Sequence, residues 1–220
     1  MTERAAFLAT VRARLALGTP PNPAHPLPPP LDGVPLVHSS LLDPDDLVGS
    51  FARNATAVKA VVHQVDAEEL PPELLQEVVA RHEVRRVVVS TDPEAQAAGQ
   101  QLAHRGLDVS PVATRTSAAA DLGITVAAAA IATTGSVLQD SGRSGGRTAS
   151  LLPPVHLCIV PASRIVPGTA EVLRSLGDGR DLPSNLVLIT GPSRSGDIEQ
   201  TMALGVHGPV TVELVVLLRA

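Results

Sequence analysis

A chain of 220 residues suits one full-sized domain and can bury a core without disulfides or a structural metal. Its net charge of -5, and an aromatic content reduced to Phe7 and Phe51, exclude the basic footprint and the stacking platforms by which proteins bind nucleic acid. The single cysteine, Cys158 in an apolar run at 157–160, excludes an internal disulfide and leaves no cysteine set in this sequence for zinc or an iron–sulfur centre.

Residues 2–17 carry an amphipathic helical pattern interrupted by Glu3, Arg4, Arg12 and Arg14, unlike the continuous apolar centre of a signal peptide. The pattern stops at Gly18. Residues 19–30 follow with proline at seven of twelve positions, a composition that favours an extended spacer. The organisation expected is therefore a helical arm with its linker over residues 1–30 and one α/β domain over residues 31–220. Such an arm suits packing on the body, on a partner, or on a second copy of the chain. No stretch reaches ~18 strongly apolar residues, so no membrane span is expected and the cytoplasm is the default location.

Beyond the linker, short β-branched runs alternate with helical patterns. Residues 57–63 read as a strand and 66–81 as a helix, with Pro71-Pro72 awkward inside it unless they start a second helix. Residues 84–90 are the clearest strand, 93–105 a helix opened by Asp92-Pro93, and 107–111 a short strand. Residues 121–140 pull two ways: Ala127 to Ala130 favour helix on propensity, whereas Gly123, Thr133-Thr134-Gly135 and the extended run after Ser136 favour strand, tight turn, strand. Strands at 156–160 and 185–190, a helix at 167–176, a polar turn at 177–183, a helix starting near Gly196 and an apolar run at 210–218 complete the order. The alternation reads as parallel βαβ units with helices covering the sheet, an α/β fold.

The first place where chemistry is expected is residues 190–209, read as a strand end, a small-residue loop and a helix start. Loops at the carboxyl ends of strands are where open α/β sheets bind ligands. Free N–H groups at a helix start attract anions, and Arg194 adds a fork of donors beside Gly191, Ser193 and Ser195. Gly191 and Gly196 have the spacing of a phosphate-binding loop, but Asp197-Ile198 stands where the Lys-Ser/Thr pair would be, which disfavours nucleoside triphosphate chemistry. Asp197 and Glu199 are candidate bases, although acidic residues in a first turn also serve the helix dipole alone. His207, in the loop that ends with Gly208-Pro209, is a further candidate if that loop returns toward the sheet.

The second place is residues 139–148, where three glycines with Arg143 and Arg147 suit a backbone nest for phosphate or carboxylate, or simply make a solvent loop. Thr134, Gly135 and Ser136 either offer hydroxyls and a backbone N–H or only turn the hairpin. His25, His38, His63, His82, His104 and His156 show no metal-ligand spacing, so no metal site is expected, and there is no G-x-S-x-G elbow or dinucleotide fingerprint.

Gly-Ile-Thr at 123–125, Ala-Ile-Ala at 130–132, Thr-Gly-Ser at 134–136, Thr-Gly-Pro-Ser-Arg-Ser-Gly-Asp-Ile-Glu at 190–199 and Leu-Gly-Val-His-Gly-Pro at 204–209 resemble the LUD (lactate-utilisation) domain family, in its lactate-utilisation protein C branch. The resemblance implies a three-layer α/β/α fold with a mostly parallel sheet, like ribose-5-phosphate isomerase, glucosamine-6-phosphate deaminase and CoA transferases. It implies a role in oxidising L-lactate to pyruvate beside iron–sulfur partner proteins that carry the clusters, with no cofactor in this chain. Site positions carried over are Thr134, Gly135, Arg194, Asp197, Glu199, His207 and Gly208. Three functions follow for test: an accessory lactate-utilisation subunit binding a small anionic ligand at 190–209, a free-standing enzyme on a sugar phosphate or acyl-CoA with a carboxylate base, or a non-catalytic interaction scaffold.

Overall fold

A computed structural model describes Ala9 and residues 42–175, 183–197, 201–204 and 207–220. The arm at 2–17, the proline-rich stretch at 19–30 and most of the turn at 177–183 lie outside the described residues. Met1–Pro35 and Leu36–Ala220 form separate units, and everything below concerns the second.

Six parallel strands form the centre: β1 (Val61–Val65), β2 (Arg86–Val89), β3 (Asp108–Pro111), β4 (Leu122–Val126), β7 (Val155–Pro161) and β12 (Thr211–Leu217), in the spatial order β1-β12-β7-β4-β2-β3. The middle strands β4 and β7 are buried at every residue, which explains why they are apolar apart from Thr125 and His156: a parallel sheet covered on both faces has no polar side. A second sheet holds β5 (Ala129–Ile131), β6 (Ser136–Asp140), β8 (Ile165–Val166) and β9 (Leu186–Ile189), in the order β8-β5-β6-β9.

Among the described residues of this unit the α-helices are α1 (Leu47–Ala57), α2 (Pro72–Arg81), α3 (Pro93–Ala103), α4 (Thr114–Ala119), α5 (Thr148–Leu151) and α6 (Thr169–Ser175). One face of the central sheet is covered by α2 and α3, whose Leu75, Val78, Ala95, Ala98 and Leu102 pack on Val89, Ile124, Leu157 and Val215. In α3 the buried positions Ala95, Ala98, Gly99 and Leu102 recur every three or four residues, as an amphipathic helix requires. The opposite face carries α1 and the second sheet: Phe51 and Ala55 join Val137 and Ile189 over Cys158, Val160, Leu214 and Val216. The α/β class is as the alternation implied; of the second sheet, the strand-turn-strand over 121–140 and the strand at 185–190 were legible, and their pairing was not.

Three readings need correction. The segment 190–209 is not a loop-to-helix: β10 (Arg194–Asp197) and β11 (Thr201–Leu204) form an antiparallel hairpin, with Arg194 opposite Leu204 and Asp197 opposite Thr201. Gly196 and the serines around Arg194 give a helix little support, whereas extended pairing suits Thr201. Residues 57–63 are not one strand. Ala57 ends α1, Lys59 turns with φ +71, and the strand begins at Val61. The helix expected over 66–81 starts only at Pro72, where proline is tolerated because the first N–H needs no partner. Helix α1 itself was hidden by Gly49, Ser50 and Thr56. It forms because Asp46 caps it, accepting from Gly49 N at 2.7 Å, and because Phe51 and Ala55 are fully buried.

Candidate functional site

Neighbouring strands β2 and β4 lead to opposite faces of the central sheet, β2 into α3 and β4 into the second sheet. Where connections diverge in this way, the carboxyl ends of the strands leave a crevice that α/β proteins use for ligands. Ser90, Thr91 and Asp92 follow β2 at that point. Ser90 is fully buried and donates its hydroxyl proton to Asp92 Oδ2 at 2.7 Å. Asp92 occupies the cap position of α3 without making a side-chain cap bond, so the role expected of it from sequence gives way to its contact with Ser90. Burial pushes the Asp92 carboxyl above the ordinary aspartate range, and the Ser90 hydrogen bond and the positive charge of Arg143 offset this only in part. Arg164 donates to Ala127 O at 2.8 Å and stands 3.7 Å from Glu94, which places a second cation near the same strand ends.

The loop of residues 139–148 folds over these ends and is held by its own hydrogen bonds. Asp140 Oδ1 accepts from Gly142 N at 2.7 Å and Arg143 N at 3.3 Å, and Gly146 N donates to Ser141 O at 2.9 Å. Thr91 fastens the loop to β2 by donating its hydroxyl to Arg143 O. Gly145, at φ +70, lies so close that a Cβ would come within 2.7 Å of Thr91, whereas Gly146, at φ +124, faces open space. Below the loop, Ser144 Oγ donates to Gln139 Oε1 at 3.4 Å and Gln139 Nε2 donates to Cys158 Sγ at 3.3 Å. Burial drives the Cys158 thiol up to about 12, against hydrogen bonds from Thr125 and Gln139, so it stays protonated and is no nucleophile. His156 is neutral for the same reason, brought down to about 4 by burial, with Nε2 2.8 Å from Thr125 Oγ1.

Between this loop, the start of α4 and the start of β9 lies a cavity of about 370 Å³, with Thr114, Ser141, Arg147, Thr148, Ser184 and Asn185 in its wall. Ser141 ties two sides together: its Oγ accepts from Asn185 N at 3.0 Å and lies 3.2 Å from Ser184 Oγ. Arg147 brings a positive charge, and among the described residues no carboxylate stands in the wall.

The sequence candidates divide between two places. Arg143 and Arg147 belong to this loop. Thr134, Gly135, Ser136, Gly191, Ser193 and Gly208 gather at the other end of β6 and β9, since Asp140 pairs with Leu186 at one end and Val137 with Ile189 at the other. There Ser136 Oγ is 2.7 Å from Thr134 Oγ1 and 2.8 Å from Thr190 Oγ1. Gly135, at φ +64, closes on α1 so tightly that a Cβ would lie 2.1 Å from Ala55 N, and Gly191 does the same to Val58 O at 2.3 Å. Ser193 N donates to Pro209 O at 2.8 Å and Gly208 approaches Ser193, so the loop after β11 returns to this segment. Arg194 and His207 are exposed. Ser195 and Asp197 belong to β10, and Glu199 lies outside the described residues. The anion site imagined at a helix start here has no helix to supply it.

Sequence reasoning passed over two groups. Asp92 was legible only as a cap. Glu213, in a buried strand, collects three basic side chains from distant positions: His63 Nε2 at 2.8 Å, His82 Nε2 at 2.8 Å and Arg81 at 3.0 Å. Burial opposes its charge, but the hydrogen bonds from His82 and His63 and the charge of Arg81 outweigh it and hold the carboxyl below the ordinary glutamate range. Only a buried Glu in an apolar run, together with histidines that look scattered, hinted at it.

An α/β protein with a polar, cationic cavity beside the ends of β2 and β3 is the class that fold and site define. The family model described as LUD domain matches residues 48–218, and the chain belongs to that family. It is 33% identical over 184 residues to a protein of Halalkalibacterium halodurans named lactate utilization protein C, covering 79% of this chain and 78% of that one. A protein of the same name from Oceanobacillus iheyensis is 26% identical over 192 residues, covering 79% and 80%. The crystal structure of a DUF162 family protein from Deinococcus radiodurans superposes with a TM-score of 0.58 at 25% identity, covering 80% of this chain and 99% of that one.

Proposed function

We propose that this chain serves lactate utilisation as a non-redox subunit, working in the cytoplasm beside iron–sulfur proteins and holding a small anionic ligand for the shared reaction. The observation that carries this reading is kinship with the Halalkalibacterium protein C over most of both chains. Electron transfer belongs to partners in this reading because a cysteine-ligated cluster needs a set of thiolates, and Cys158 is the single cysteine, buried and protonated. The anion lies in the cavity beside Arg147, whose planar fork of donors matches a carboxylate, and not at residues 190–209. Co-expression with the Cys-rich proteins of neighbouring genes tests it: the chain should co-purify with them, and its recovery alone under gentle conditions would count against the reading.

A second reading, a free-standing enzyme with a carboxylate acid–base group, draws on one observation. Asp92 is buried at the ends of the strands with its proton held above the ordinary range, as such catalysis requires. Asp92 takes the place given from sequence to Asp197 and Glu199. Thermal-shift screening of lactate, pyruvate, sugar phosphates and CoA esters separates the two, since any true ligand stabilises by mass action.

A further inference from the structure

The cavity beside Arg147 is larger than a lactate ion needs. Its volume is about 370 Å³, whereas the six non-hydrogen atoms of L-lactate fill roughly 100 Å³ at ordinary packing density. A bound lactate would leave most of the space to water. The wall is also better supplied with hydrogen-bonding groups than one carboxylate and one hydroxyl can use. Thr148 Oγ1 accepts from Ser117 Oγ at 3.0 Å, which leaves its own proton to donate. Thr114, Ser184 and the Asn185 amide stand around the same space, and Gly146 leaves its backbone open to close approach.

Among the described residues, one cation, several hydroxyls and an amide line the wall and no carboxylate does, which suits a ligand with an anionic end and a hydroxylated body. Resting on the reading of the Arg147 cavity as the anion site, we infer that its occupant is a phosphate monoester of a small polyhydroxy compound. The phosphate lies on Arg147 and the Gly145-Gly146 backbone, and the hydroxyls meet Thr114, Ser184 and Asn185. A phosphate offers three acceptor oxygens where a carboxylate offers two, and Arg recognises it through paired donors.

Isothermal titration of the full chain with glucose 6-phosphate, inorganic phosphate and L-lactate tests this. The result expected is glucose 6-phosphate bound at least about tenfold more tightly than either small anion, with Arg147→Ala weakening it about tenfold or more. Ser184→Ala should reduce the preference for the ester over inorganic phosphate and leave phosphate binding as it was. Arg147 is exposed, so its loss should leave the unfolding midpoint in place, and the midpoint is measured alongside. L-Lactate binding as tightly as the ester, and dependent on Arg147, overturns the inference while the anion-site reading stands. No binding of any of the three, or binding indifferent to Arg147, overturns both.

Discussion

Asp92 and Glu213 are both carboxyls withdrawn from water, and their neighbours drive them in opposite directions. Asp92 has one hydroxyl donor and two cations at some remove, Arg143 and Arg164, so burial wins and the folded state keeps its proton to higher pH than the unfolded chain does. Stability therefore falls as pH rises from the ordinary aspartate range through the raised value. Asp92→Asn removes the buried charge, and its thermal midpoint at pH 7 should be no lower than that of the parent chain. A midpoint several degrees lower contradicts the account. Glu213 has the reverse sign. Its carboxylate is favoured by His82, His63 and Arg81, so its contribution is present above the ordinary glutamate range and lost as pH falls through the lowered value. Glu213→Gln should cost about 1–3 kcal/mol at pH 7, read from urea denaturation, with the difference from the parent chain shrinking in acid. An equal loss at all pH values would point to packing and not to charge.

Among the elements, the turn between β5 and β6 and the hairpin of β10 and β11 are held in contrasting ways. Gly135 at the turn is locked against α1, and its φ of +64 and the 2.1 Å approach to Ala55 N leave no room for a methyl group. Gly135→Ala should destabilise by about 1–3 kcal/mol or more, measured by chemical denaturation, because it combines overpacking with a left-handed backbone. By contrast β10 and β11 pair only with each other among the described strands. Their amides should exchange with deuterium far faster than those of β7 and β12, which sit inside the six-stranded sheet. Comparable protection in both would show that the hairpin is packed as firmly as the core. These elements also show what sequence can tell. Helix α3 was legible because Asp92-Pro93 marks its start and its apolar stripe is regular. The β10–β11 hairpin was not, because Gly191 and Gly196 have a phosphate-loop spacing, while strand pairing depends on partners four to ten residues away.

At the scale of the whole molecule, the class of fold could be read from the alternation of strands and helices, because mostly apolar runs such as those of β4 and β7 belong to covered parallel sheets. The site could be read only in part. Arg143 and Arg147 were visible as a glycine-rich basic loop, but their company at the cavity comes from chain crossings that no local pattern records: Thr114 follows β3 and Asn185 precedes β9. The proposed function makes this chain a non-redox subunit whose Arg147 cavity serves lactate oxidation carried out with iron–sulfur partners. The most direct measurement is lactate-dependent reduction of an electron acceptor by the purified partners, alone, with this chain, and with its Arg147→Ala form. Activity should require the chain and fall about tenfold or more with Arg147→Ala. Full activity of the partners without it would contradict the account.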